Sequence, residues 1–120
     1  MDSLNSILVH DRKSFFYRFV SIRYSTFYSI EKSALHKGIE VNFKNFDLLL
    51  FVIYDEVDLK ELLNYVQFEG IIILCSNNDA LFEEVIKSRG FLHLKLTISK
   101  IEIKKELDNL LELVKILLIE

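Results

Sequence analysis

Apolar residues in this chain fall into runs of two kinds, and each kind predicts different surroundings. "ILV" (7–9), "LLLFVIY" (48–54) and "IIILC" (71–75) are continuous, short and rich in Ile, Val and Phe, which predicts strands buried on both faces. "FLHLKLTI" (91–98) alternates instead, with Leu92, Leu94, Leu96 and Ile98 on one face and His93, Lys95 and Thr97 on the other. "STFYSIE" (25–31) is a weaker, mixed version of the same pattern, so two of the predicted strands have a wetter side.

Helical spacing fills the intervals. Phe15, Phe16, Phe19 and Val20 share a helical face in "KSFFYRFVSIRY". In "DLKELLNYV" the stripe is Leu59, Leu62, Leu63 and Val66, with Asp58 as the expected N-cap. "DALFEEVIKSRG" sets Asp79 as cap, Leu81, Val85 and Ile86 as the buried stripe and Gly90 as the stop. A short helix broken near Gly38 is expected within 33–46, and a long last helix from about Ile101 to the end. The order is βα repeated five times, which predicts a parallel sheet with helices on both sides. Placing the three fully apolar strands centrally gives a doubly wound, flavodoxin-like (βα)5 sheet of order 2-1-3-4-5.

At 120 residues the chain is one domain, and 51% hydrophobic with 28% charged residues is ordinary globular composition. A net charge of −3, with basic residues scattered, gives no surface for nucleic acid. The solitary Cys75 excludes an internal disulfide and any CxxC redox or zinc motif, which fits a reducing cytoplasm. No apolar run approaches the ~20 residues of a membrane helix, and the acidic start "MDSLNSILVHD" is no signal peptide, so no membrane partner is expected.

Several phrases, in their order and spacing, resemble the response-regulator receiver domain over nearly the whole chain. "SILVHDRKS" stands where that family has strand 1 and its acidic pair, and "FDLLLFV" resembles its Asp-then-four-apolar strand 3. "GIIILCSN" resembles strand 4 ending in a small hydroxyl residue, and "VIKSRGFLHL" the passage from helix 4 through glycine to strand 5. The resemblance implies chemistry at the carboxyl ends of the strands: two acids holding Mg²⁺, a phosphoryl-accepting aspartate, a Ser or Thr, and a Lys. Matched position by position, the first acid is Asp11 but the second is Arg12, and the acceptor position falls on Val52. The hydroxyl is kept as Ser76, and the lysine position falls on Thr97, with Lys95 near enough to leave that register open. Valine has no nucleophilic atom, and an arginine opposes a divalent cation where a carboxylate would bind it. A register shifted by three residues would offer Asp55 as acceptor instead; otherwise Asp55 and Glu56 open the next loop as solvated acids.

Other candidates weaken on inspection. Arg12 either fills the emptied metal site with a fixed positive charge or is an exposed first-turn arginine. His10, Asp11 and Cys75 all lie near strand ends, but one histidine and one cysteine make a poor ligand set, so no metal is expected. His36 and His93 are expected at the surface. Ser76 has no His and acid arranged to activate it, which argues against a hydrolase. The loops after strands 1 and 4 lack glycine, which counts against a small-ligand flavodoxin-like domain with a phosphate cradle.

The expectation is therefore a receiver-like, phosphorylation-independent protein–protein interaction module in bacterial signal transduction, not an enzyme, without a cofactor and with output supplied by a partner. The alternatives are a working single-domain response regulator, phosphorylated at Asp55 with Mg²⁺, and the small-ligand domain. In the last helix Ile103, Leu107, Leu110, Leu111, Val114, Leu117 and Leu118 form the stripe for the sheet. Leu113, Ile116 and Ile119 fall outside it and mark a candidate homodimer interface.

Overall fold

The computed structural model describes residues 4–34, 38, 42–86 and 90–119. Five parallel strands form one sheet in the order β2-β1-β3-β4-β5, as the burial pattern predicts. They are β1 (Ser6–His10), β2 (Ser29–Lys32), β3 (Leu48–Ile53), β4 (Ile71–Ser76) and β5 (Leu92–Lys95). Helices α1 (Phe15–Tyr24), α2 (Glu56–Glu61), α3 (Asp79–Ile86) and α4 (Lys100–Ile119) connect or follow them, and a 3₁₀ turn (Leu62–Tyr65) continues α2. A second 3₁₀ turn, Phe43–Asn45, precedes β3. Of the helix expected within 33–46, residues 35–37 and 39–41 lie outside the described residues, His36 among them, as do the side chains of Val85 and Ile86.

Two cores flank the sheet, and β3 serves both. Leu48, Leu50 and Val52 pack with Ile7, Val9, Phe16, Val20, Leu107 and Val114 on the α1/α4 side. Leu49, Phe51 and Ile53 pack with Leu8, Tyr65, Phe68 and Leu74 on the α2 side. All six β3 side chains are fully buried, which is why that strand reads as an unbroken apolar run. At its foot the Asp47 carboxylate accepts the N–H groups of Asn5 and Ser6 at 3.0 and 3.2 Å, fixing the β1–β3 register. Gly70 lets β4 start beside the same residue, since a Cβ there would lie 2.5 Å from the Asp47 carbonyl oxygen.

Several helical faces differ from the sequence expectation. In α1 the buried residues are Phe16, Val20 and Tyr24, while Phe15 is 66% exposed. One turn further on, Tyr24 donates to Asp108 of α4 at 2.5 Å, and that tie rotates the face away from Phe15. The cap of α2 lies three residues before the expected one: Asp55 is the N-cap and Asp58 the reciprocating partner of a capping box. The expected partners Leu63 and Val66 are exposed and Tyr65 is buried, because the helix tightens to 3₁₀ at Leu62. In that geometry residues i and i+3 eclipse, so Tyr65 follows Leu62 inward and Val66 follows Leu63 outward.

Asn78, not Asp79, caps α3, its Oδ1 accepting the N–H groups of Ala80 and Leu81 at 3.0 and 3.2 Å. β2 starts at Ser29 and not at 25, since 25–27 turn out of α1. β5 stops at Lys95, although Leu96 and Ile98 still pack on the α1/α4 core. His93, expected at the surface, is half-buried, and Leu117, expected in the stripe of the last helix, is 41% exposed. No helix among the described residues is long and apolar enough to cross a membrane.

Candidate functional site

The carboxyl ends of β1 and β3 bring a cluster of charges together. Asp11 follows β1 and is fully buried. Its carboxylate accepts the backbone N–H groups of Lys13 and Tyr17, at 3.2 and 2.9 Å, and the Tyr54 hydroxyl at 2.5 Å. It thereby caps α1, whose first flanking residue, Ser14, sits at φ 67° and makes no side-chain cap of its own. Burial pushes the Tyr54 hydroxyl well above the usual phenol range, and the bond to Asp11 pushes it further.

Arg12 turns toward α2. Its Nη2 donates to Asp55 Oδ2 at 2.7 Å and to Asp58 Oδ2 at 3.3 Å, and its Nε donates to Asp58 Oδ1 at 3.2 Å. These bonds, to Asp55 first and then Asp58, raise the guanidinium still further above its usual value. The Arg12 bond in turn holds the Asp55 carboxyl below the usual carboxylate range. Asp58 is fully buried and also accepts the N–H of Tyr54 at 2.8 Å and of Asp55 at 3.3 Å. Its negative charge is thus compensated by backbone donors as well as by Arg12, as a buried carboxylate requires.

Along the rest of the crest the polar groups bond locally. Val52 pairs with Cys75 in the ladder, and both are enclosed in the α1/α4 core. Burial pushes the Cys75 thiol up, out of the range of a reactive thiolate. Ser76 is buried, donates to the Asn78 carbonyl at 2.9 Å and accepts the Asn78 N–H at 3.3 Å. Lys95, the end of β5, lies opposite Ser76, and Thr97 lies beyond the strand. Both reach Asp79: the Thr97 hydroxyl donates at 2.6 Å, and Lys95 Nζ lies 3.4 Å away.

No protein-family model and no curated protein sequence matches the chain. Solved structures do. A CheY-like response regulator receiver domain protein from Methanospirillum hungatei JF-1 is 19% identical, with 93% of this chain and 97% of that one covered at a TM-score of 0.58. The signal receiver domain of a putative Luxo repressor protein from Vibrio parahaemolyticus is 14% identical, with 94% of each chain covered at 0.58. The receiver domain of the Francisella response regulator 1452 is 17% identical, with 92% and 99% covered at 0.57. The chain has the receiver-domain fold.

On this receiver fold, the positions matched from sequence separate into three groups. Arg12 meets Asp55 at the β1/β3 switch point, while Asp11 turns to α1 and Tyr54. Val52 belongs to the core. Ser76 closes its own turn, while Thr97 and Lys95 serve Asp79. His10, Asp11 and Cys75, considered together from sequence, do not assemble. The His, Cys, Asp and Glu ligand atoms that approach within 4.8 Å of one another, among the described residues, belong to His10, Asp58 and Glu61. From sequence Asp58 reads as a helix cap and not as a site residue, and Tyr54 and Glu61 are not singled out. The spacing Asp55-x-x-Asp58 was a legible signal, since an acid at N-cap and another three residues on form a capping box.

Proposed function

We propose that this chain is a receiver-like domain of a signal-transduction pathway, acting as a phosphorylation-independent protein–protein interaction module and not as an enzyme. The observation that carries the reading is the residue at the acceptor position. Val52 is fully enclosed on the α1/α4 side of the sheet and offers no nucleophile. Two further features support it. The Asp11 carboxylate is engaged by two backbone N–H groups at the start of α1 and by the Tyr54 hydroxyl. The Arg12 guanidinium supplies positive charge beside Asp55 and Asp58, where the family's resemblance would put Mg²⁺.

A module of this kind works through its surface. The end of α4 exposes Leu113, Ile116 and Ile119 at 39, 57 and 70%, and a second copy of the chain is the partner we assign to it. The lone buried Cys75 fits a reducing, cytoplasmic setting, and the net charge of −3 fits a protein partner better than a nucleic acid.

Incubation with Mg²⁺ and a small phosphodonor, followed by intact-mass measurement, tests the reading. The expected result is an unchanged mass. A gain of one phosphoryl group that Asp55→Asn abolishes would replace this reading with that of a working single-domain response regulator.

A further inference from the structure

Between α1 and the chain that follows β5 lies a pocket of about 260 Å³, at the carboxyl ends of the strands. α1 lines it with Phe15, Phe16 and Phe19, the segment after β5 with Leu96 and Ile98, and α4 with Ile103. Phe16 and Ile103 are buried, whereas Phe15 is 66% exposed, a large aromatic surface that the fold leaves uncovered. In open parallel sheets, ligands are held in the crevice outside the carboxyl ends of the strands. Their sites combine an apolar wall with a few converging polar groups.

Three polar side chains meet this wall: Tyr54, Asn77 and Lys100. The Tyr54 hydroxyl is committed to Asp11. The Asn77 amide and the Lys100 ammonium make no hydrogen bond or ion pair among the described residues, although Arg12, Ser76 and Thr97 along the same crest are all engaged. The charge around the pocket has one sign. Arg23 Cζ lies 3.9 Å from the centre of the Phe19 ring, and Lys13 Nζ lies 5.0 Å from that of Tyr54, so two of the lining rings carry a cation. No carboxylate lines the pocket among the described residues. Asp11, the acid that Tyr54 bonds, is buried and already accepts three hydrogen bonds. In a chain of net charge −3 this is a local field that favours an anion.

We propose that the pocket binds a small aromatic carboxylate. Its ring lies among Phe15, Phe16, Phe19 and Ile98, and its carboxylate meets the Lys100 ammonium, with the Asn77 amide donating to it. The volume admits one ring with a short acidic arm, being below the roughly 300–1,000 Å³ of drug-sized ligand sites. Three phenylalanines favour a ring over an aliphatic chain, because aromatic pairs gain beyond the area they bury. The site goes beyond the interaction-module reading and does not rest on it, since neither Val52 nor Asp55 lines the pocket. A ligand seated there covers Phe15 and changes the surface that a protein partner meets.

A two-dimensional amide NMR titration of the full chain with phenylacetate, without Mg²⁺ or phosphodonor, tests the proposal. The expected result is saturable shifts of the Asn77 side-chain amide and of the backbone amides of Phe16, Phe19 and Ile98. The dissociation constant is expected at about 1 mM or tighter, as suits so small a ligand. Lys100→Glu changes an exposed residue without an ion pair, so the fold is kept while binding weakens by about fivefold or more. Benzyl alcohol, which keeps the ring without the charge, and hexanoate, which keeps the charge without the ring, both bind more weakly than phenylacetate. The absence of saturable shifts up to about 10 mM, or binding that Lys100→Glu leaves unchanged, overturns the proposal. Hexanoate or benzyl alcohol binding as tightly as phenylacetate overturns the assigned ligand class. Shifts at the same residues that follow protein concentration instead of phenylacetate give the pocket to a second copy of the chain, and overturn the proposal as well.

Discussion

Val52 is where the chemistry and the packing of this chain separate. The side chain is fully buried in the apolar core between the sheet and α1/α4, so an acid there introduces a buried charge and not a working acceptor. Val52→Asp is expected to cost about 3 kcal/mol or more, as an uncompensated buried charge does. Urea unfolding measures that cost, and intact mass after treatment with Mg²⁺ and phosphodonor is expected to stay unchanged. A variant as stable as the parent that gains phosphate would show that position 52 faces the strand-end crevice. Arg12 is the opposite case. It lies beyond the strand, 30% exposed, and long enough to reach two acids of another element. Its residue type was legible at once, whereas its partners depend on how β1 and β3 are paired.

At the scale of the element, α2 joins the site to the core. Asp55 accepts the N–H of Val57 at 3.0 Å, so one carboxylate both caps the helix and binds Arg12. Because Arg12 holds the folded-state pKa of Asp55 below its ordinary value, the native state favours the ionised form. The sign follows by linkage. Stability from this contact is complete above the ordinary carboxylate pKa, about 4, and is lost as the pH falls through the depressed folded value. Asp79 adds to the same acid limb, its pKa lowered by the Thr97 hydroxyl and then by Lys95. Melting temperature followed downward from neutral pH is therefore expected to fall below about pH 4, and less steeply in Asp55→Asn. An identical slope in parent and variant would remove Asp55 from the account. The capping box could be read locally. The 3₁₀ tightening that buries Tyr65 could not, since Leu63 and Val66 fit an α-helical stripe equally well by sequence.

Across the whole molecule, α4 has more apolar surface than the sheet covers. Ile103, Leu107, Leu111 and Val114 are buried, while Leu113, Ile116, Leu117 and Ile119 are exposed. Leu117 also lines an apolar groove with Leu63, Val66, Phe68 and Phe91, so the uncovered surface continues past the helix. A contiguous patch of this kind is the usual mark of an interface. Sedimentation at micromolar concentration is expected to show a homodimer, which Ile116→Glu combined with Ile119→Glu converts to a monomer. A monomeric parent, or a dimer indifferent to the double substitution, would remove α4 from the interface.

By itself the sequence determined the alternation of strands and helices, the strand order and the apolar identity of position 52. Each of these depends on hydrophobic periodicity or on residue identity at one position, and neither needs a distant neighbour to be known. Only the tertiary structure decided which acids Arg12 binds, which way Asp11 faces, and that His10 lies against Asp58 and Glu61. Parallel strands joined by helices bring the ends of β1 and β3 together across a separation of 43 positions between Arg12 and Asp55, and no local pattern records that meeting. The helix faces fell between the two: their period was legible, but their phase was not. A single contact, such as Tyr24 with Asp108, or a change of helical pitch after Leu62, rotates a stripe without altering the residues that compose it.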